Sequence, residues 1–136
     1  MPDFYAINSE YIFELDRFFE LAMDLLAIAS TRDGRWKRVN PAFTRTLGWT
    51  EEELLTTPFF DIVHPGDLDR SVKATARLAA GAPLTNFEHR MRCRDGSYRW
   101  IDWNAASYPE EGLMYCVGRD VTERRQAQDA LAKAMA

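Results

Sequence analysis

The sequence predicts an α+β domain, with an antiparallel sheet and its helices gathered on one face. Three observations carry this. The strand-like segments come as a pair, then, after a run of helices, as a group of three, and strands separated in this way from a block of helices belong to that class. Two Asp-Gly turns, Asp33-Gly34 and Asp95-Gly96, sit between apolar or alternating segments and read as hairpins, because Asp-Gly accepts the positive φ angles of tight turns. The helix punctuation, Asn40-Pro41, Gly48, Thr50 with Glu53, and Gly81, falls between the two groups of strands.

Taken in order, Ser9 to Met23 places Tyr11, Ile12, Leu15, Phe18, Phe19 and Ala22 at helical spacing, with Ser9 as N-cap. This amphipathic helix either packs on its own domain or lies between two copies. Leu25 to Ala29 is a short buried strand, Arg32 to Arg35 its hairpin turn, and Trp36 to Val39 the returning strand. Asn40 caps and Pro41 opens a short helix through Phe43 and Leu47, which Gly48 ends. Thr50 and Glu53 form a capping box for a second short helix. After the apolar turn Pro58 to Val63, His64-Pro65-Gly66-Asp67 leads into the longest central helix, Asp67 to Ala80, closed by Gly81.

Phe87 to Cys93 alternates, with Phe87, His89, Met91 and Cys93 on one face and charged residues on the other. Tyr98 to Tyr108 pairs back after the second Asp-Gly turn, and Pro109 to Gly112 leads into the last strand. Both faces of the penultimate strand carry apolar bulk: Ile101, Trp103 and Ala105 on one, Trp100, Ala106 and Tyr108 on the other. The outer face is therefore expected to be partly covered, by the N-terminal helix or by a partner subunit. The chain closes with Asp120-Val121-Thr122 and a charged helix, Glu123 to Ala136, with no stop before the last residue. The expected organisation is a flanking helix over 1–20, a domain over 21–122 and the start of a linker helix over 123–136. A chain that ends by launching a helix is expected to be a piece of a longer signalling protein.

Bulk properties narrow the function. With 136 residues, 46% hydrophobic and 28% charged, the chain suits one soluble globular domain. A net charge of −4, with arginines interleaved among acids, argues against nucleic acid as a partner. The two cysteines, Cys93 and Cys116, are too few and too distant for a disulfide framework or a zinc ribbon and read as buried thiols. The opening Met1-Pro2-Asp3-Phe4 is no secretory signal, and no segment approaches the roughly 20 apolar residues of a membrane helix. A cytoplasmic setting without direct membrane contact is expected, although a parent protein can be anchored elsewhere. There is no glycine-rich phosphate loop. His64 reads as a cap before Pro65, and His89 as a hydrogen-bonded core or pocket histidine. Neither has a further Cys or His at metal-ligand spacing, so no catalytic and no metal site is expected.

Five segments in order resemble the PAS (Per-Arnt-Sim) family with its C-terminal PAC motif. They are Trp36-Lys-Arg-Val-Asn-Pro-Ala-Phe43, Leu47-Gly-Trp-Thr-Glu-Glu-Glu-Leu54, Val63-His-Pro-Gly-Asp67, Phe87-Glu-His-Arg-Met-Arg-Cys-Arg-Asp-Gly-Ser-Tyr-Arg-Trp100 and Gly118-Arg-Asp-Val-Thr-Glu-Arg125. The resemblance runs from about Phe19 to Arg125 and looks most like the PAS domains ahead of bacterial sensor histidine kinases. It implies a five-stranded antiparallel sheet, helices cupped over one face, and a ligand pocket between them. By strand parity that pocket is lined by His89, Met91, Ile101, Trp103, Met114 and Cys116 and closed by Phe43. Either Trp103 fills it or a small apolar ligand does. The match of Asp120-Val-Thr122 to the family's exit motif implies a signal relay through Asp120 and Thr122 into the last helix.

Haem-binding members carry a histidine on the long central helix, and Asp67 to Ala80 has none. Flavin photoreceptors of the family carry a reactive cysteine before that helix, and Thr57 to Val63 has none. No cofactor is expected. The function so implied is a regulatory sensor module with a histidine kinase or a diguanylate cyclase as output partner. The alternative is a ligandless dimerisation module, and in either case a homodimer is expected.

Overall fold

The computed structural model describes residues 4–136. Helix α1 (Phe4–Leu21) leads into strands β1 (Leu25–Ser30) and β2 (Trp36–Val39), followed by helices α2 (Pro41–Leu47) and α3 (Glu51–Leu55). Two 3-10 turns, Phe59–Ile62 and Pro65–Asp67, precede helix α4 (Leu68–Ala79). Strands β3 (Leu84–Arg92), β4 (Tyr98–Tyr108) and β5 (Leu113–Asp120) complete the sheet, and helix α5 (Thr122–Met135) leaves it. The five strands are antiparallel in the order β2-β1-β5-β4-β3, so the first and last strands of the chain pair at the centre. The connection through α2, α3 and α4 carries the chain from one edge of the sheet to the other. This is the α+β arrangement expected.

Local chemistry accounts for the helices. Asn40 is fully buried, and its side-chain oxygen accepts from Phe43 N at the start of α2. The same oxygen accepts from Leu26 N at 2.9 Å, while the amide donates to the carbonyls of Phe19 and Asp24. One cap thus also fixes where α1 ends and β1 begins. Gly48 terminates α2 at φ 83°, a conformation that favours glycine. The Thr50–Glu53 box caps α3 with both reciprocal bonds present. His64 Nδ1 accepts from Gly66 N at 2.8 Å, the expected turn role. Along α4, Ser71, Ala74 and Leu78 recur at spacings of three and four and are all buried against the sheet. The core holds Leu25, Trp36, Phe43, Leu47, Leu54, Ile62, Met91, Ile101, Trp103 and Met114.

Three expectations change. Helix α1 begins at Phe4, so Ser9 is a residue of the helix interior and no cap; no Gly or Pro interrupts the run from Phe4 to Leu21. Strand β3 begins three residues before Phe87. A bulge makes Leu84 pair with Ala105 and Phe87 with Trp103, with Asn86 at φ 49° between them. The bulge breaks the alternation that marks a strand in sequence. The third change concerns the outer face of the sheet: of the two covers expected, the N-terminal helix or a partner subunit, α1 does not supply it. Instead α1 lies beside β2 and α2, where Asp16 pairs with Arg38 at 2.8 Å and the Arg38 guanidinium stands 4.2 Å from the centre of the Phe19 ring. Tyr11, Ile12, Leu15 and Phe18 are exposed, Phe18 by 75%. The outer face is covered in part by the first turn of α5, and Tyr108, Tyr115 and Val117 remain open to solvent.

Candidate functional site

Between α4 and the inner face of the sheet lies a cavity of about 80 Å³. Helix α4 contributes Ser71, Ala74, Thr75 and Leu78, and Phe59 and Phe60 come from the first 3-10 turn. The sheet contributes residues of all five strands, among them His89 and Met91 on β3, Trp103 and Ala105 on β4, and Met114 and Cys116 on β5. Of the seven residues expected around a pocket, five line the cavity: His89, Met91, Trp103, Met114 and Cys116. Phe43 and Ile101 are fully buried but stand outside the lining. Phe43 packs edge-on to Trp36 at 5.2 Å and against Trp103 at 5.9 Å, so it supports the wall from behind.

Trp103 forms part of the wall without filling the space. Its position depends on Gly118, its partner across β4 and β5. A Cβ on Gly118 would lie 2.8 Å from Trp103 Cζ3 and 2.9 Å from Ile101 Cγ2, closer than carbon atoms can pack. Cys116 is a free thiol that burial pushes up to about 12, which keeps it protonated and unreactive. Among the described residues no cluster of three or more His, Cys, Asp or Glu stands ready to hold a metal ion.

His89 joins Ser71 and Thr75 as a polar side chain of the cavity wall, and it is the titratable one that can accept there as a neutral ring. It is buried, and its Nδ1 lies 2.8 Å from Ser71 Oγ. Ser71 Oγ donates to the Asp67 carbonyl at 2.8 Å. A hydroxyl has one proton, so Nδ1 must be the donor to Ser71 and Nε2 carries the lone pair. Nε2 is buried without a hydrogen-bond partner. Burial depresses the His89 pKa to about 4; Arg70 pushes in the same direction and Asp67 opposes it. Asp67, one turn ahead, accepts from Arg90 N at 2.8 Å and from the Arg90 guanidinium at 3.0 and 2.9 Å. These bonds hold its carboxyl well below the usual carboxylate range. Nothing in the sequence marks Ser71 as the partner of this histidine or Asp67 as that of Arg90, because each pair meets only when the start of α4 packs on β3.

The second feature lies where β5 passes into α5. Thr122 Oγ1 accepts from Trp100 N at 2.8 Å and donates to Asp120 Oδ1 at 2.6 Å. Asp120 Oδ1 also accepts from Thr122 N at 3.0 Å, and Arg99 pairs with Oδ2 at 3.3 Å. Val121 N donates to Trp100 O at 2.8 Å. Val121 occupies the N-cap position and has no capping side chain; Asp120 takes the first free amide of α5, Thr122 N, and the Thr122 hydroxyl ties that turn to β4. One turn on, the Arg125 guanidinium stands 3.7 Å from the centre of the Trp100 ring, and Arg90 stands 5.1 Å from the same ring. Arg125 also donates to Glu88 of β3 at 3.2 Å. The first turn of α5 is thus fastened to β3 and β4, the strands that carry His89 and Trp103.

A fold of this kind, with a small cavity under the helices and a latched exit helix, defines the class of protein. Residues 37–118 match the family model for the PAS fold, and the chain belongs to that family. Among curated proteins it is 30% identical over 102 residues to the Escherichia coli (strain K12) protein named "Probable diguanylate cyclase DgcE", covering 71% of this chain and 9% of that protein. It is 26% identical over 109 residues to the sensor histidine kinase TmoS of Ectopseudomonas mendocina, covering 76% of this chain and 11% of the other. The chain spans about a tenth of the length of these relatives. Among solved structures, a domain of a sensory box sensor histidine kinase/response regulator from Geobacter sulfurreducens superposes with a TM-score of 0.70 at 25% identity. That match covers 87% of this chain and 97% of the other.

Proposed function

We propose that this chain is the regulatory sensor module of a larger signalling protein, relaying the state of its cavity to an output unit through Asp120, Thr122 and α5. The observation that carries the reading is the latch: the bonds that start α5 are made to β4, the strand that supplies Trp103 to the cavity wall. A ligand that favours one arrangement of that strand therefore biases the exit helix. Similarity to parts of a sensor histidine kinase and of a probable diguanylate cyclase supports either as the output, with the kinase preferred on the solved structural relative. The module itself is regulatory and not catalytic. It works in the cytoplasm, makes no direct contact with membrane or nucleic acid, and requires no cofactor. A cavity of about 80 Å³ suits a small solute, far below the roughly 300 Å³ at which pockets for larger ligands begin.

A second reading, that the module also dimerises, rests on α1. Its side chains Tyr11, Ile12, Phe13, Leu15, Phe18 and Leu21 are exposed, Phe13 by 67% and Leu21 by 78%, which suits burial against a second copy of the helix.

The latch is tested by Asp120→Ala in the parent protein. The substitution removes the acceptor for Thr122 N, the acceptor for its hydroxyl and the partner of Arg99. Amide exchange in the first turn of α5 should accelerate about tenfold while β1 and β5 keep their protection, and the output rate should stop responding to the input. Unchanged exchange in α5 together with intact regulation would sink the relay.

A further inference from the structure

We infer that the cavity takes a compact, uncharged, mainly apolar molecule bearing one hydrogen-bond donor, a hydroxyl or an N–H, which it gives to Nε2 of His89. This rests on the sensor reading above and specifies its ligand. His89 Nδ1 is committed to Ser71, whose own proton is committed to the Asp67 carbonyl, so the ring cannot offer a donor to a guest without giving up a buried bond: a ring flip loses the one to Ser71, and the other tautomer loses the one from Ser71 to the Asp67 carbonyl. Nε2 is left as a buried acceptor with no donor from the protein, which is costly unless something supplies one. The cavity that His89 lines is where such a donor can sit, beside Met91, Met114 and Trp103. Burial keeps the ring neutral, with its pKa down at about 4, so Nε2 remains an acceptor throughout the neutral range. Charged guests are disfavoured because no carboxylate or cationic side chain lines the space: Asp67 and Arg90 neutralise one another outside it. Molecules with acceptors alone, such as ethers, would leave Nε2 unmet.

The test uses two isomers that differ in the donor, 1-propanol and methoxyethane, titrated in sealed tubes against the chain with 13C-methyl-labelled methionine. Met91 and Met114 line the cavity, whereas Met23 and Met135 are exposed by 87% and 77% and report general solvent effects in the same spectrum. Saturable shifts of the Met91 and Met114 methyls are expected, with 1-propanol binding about fivefold more tightly than methoxyethane. The 15N spectrum of His89 should show an unprotonated Nε2 that moves on addition of the alcohol. In His89→Leu the preference between the isomers should vanish. Equal binding of both isomers to the unaltered chain, or a free protein with the proton on Nε2, would overturn the inference and leave the cavity as a binding site. No saturable shift with either isomer would overturn the ligand-sensing reading as well.

Discussion

His89 is placed where its protonation opposes folding. In the unfolded chain a histidine titrates near pH 6.5, whereas burial holds the folded ring down at about 4. Between these values the unfolded state binds a proton that the folded state refuses, so stability is fully present above about pH 6.5 and falls as the pH drops toward 4. The accumulated loss should be about 3 kcal/mol. Asp67 acts below that window. Its carboxyl is held low by Arg90, so its contribution is present above about pH 4 and disappears as the unfolded state becomes protonated first. Denaturant titrations from pH 7.5 to 4.5 should therefore show a decline in stability that flattens in His89→Leu. An equal slope in the two proteins would remove His89 as its source. The rest of this hydrogen-bond chain escapes sequence reading for a physical reason. Alternation places His89 on the inner face, but its partner Ser71 is a small polar residue on a helix whose rotation about its axis becomes known only once α4 is packed.

At the scale of elements, the two flanking helices behave differently. Helix α5 is fastened at its first turn through Thr122, Arg125 and Glu88, and beyond it Leu131 and Met135 are exposed. Helix α1 is held to its own domain through Asp16, Phe19 and the carbonyl that receives the Asn40 amide, and its apolar side chains face away. If two copies meet through α1, sedimentation should show a dimer at tens of micromolar, and Phe18→Glu with Phe13→Glu should yield monomers of unchanged fold, since both positions are exposed. A dimer that survives the double substitution would place the interface elsewhere, with the exposed outer sheet residues Tyr108, Tyr115 and Val117 next to be tested. Periodicity finds the apolar residues of α1 without saying what they face, because an apolar stripe looks the same whether it meets its own sheet or another molecule.

For the whole molecule, the legible parts are those fixed by neighbours in sequence: the Asn40-Pro41 start, the Thr50–Glu53 box, the Asp-Gly hairpins and the inward parity of Met91, Trp103 and Met114. The parts that were not legible depend on distant meetings. Phe43 of α2 and Ile101 of β4 are buried in the core but stand outside the cavity lining, and the bulge at Asn86 shifts the start of β3. The pairing of β1 with β5, Leu25 with Gly118 and Ser30 with Leu113, carries a consequence for how the molecule comes into being. On the ribosome β1 and β2 emerge early and can form only a hairpin, which is marginal in water by itself. The central seam of the sheet cannot close until β5 has been synthesised, so nascent chains shorter than this must wait with the inner edge of β1 unpaired. Such long-range closure is slow, and refolding of residues 1–136 should fall in the millisecond-to-second range by stopped-flow fluorescence of the tryptophans, with microsecond folding as the contrary result. Until that seam closes, the open edge of β1 is a template for other chains, and chaperone dependence should be concentrated in the interval before Leu113 to Asp120 leaves the exit tunnel.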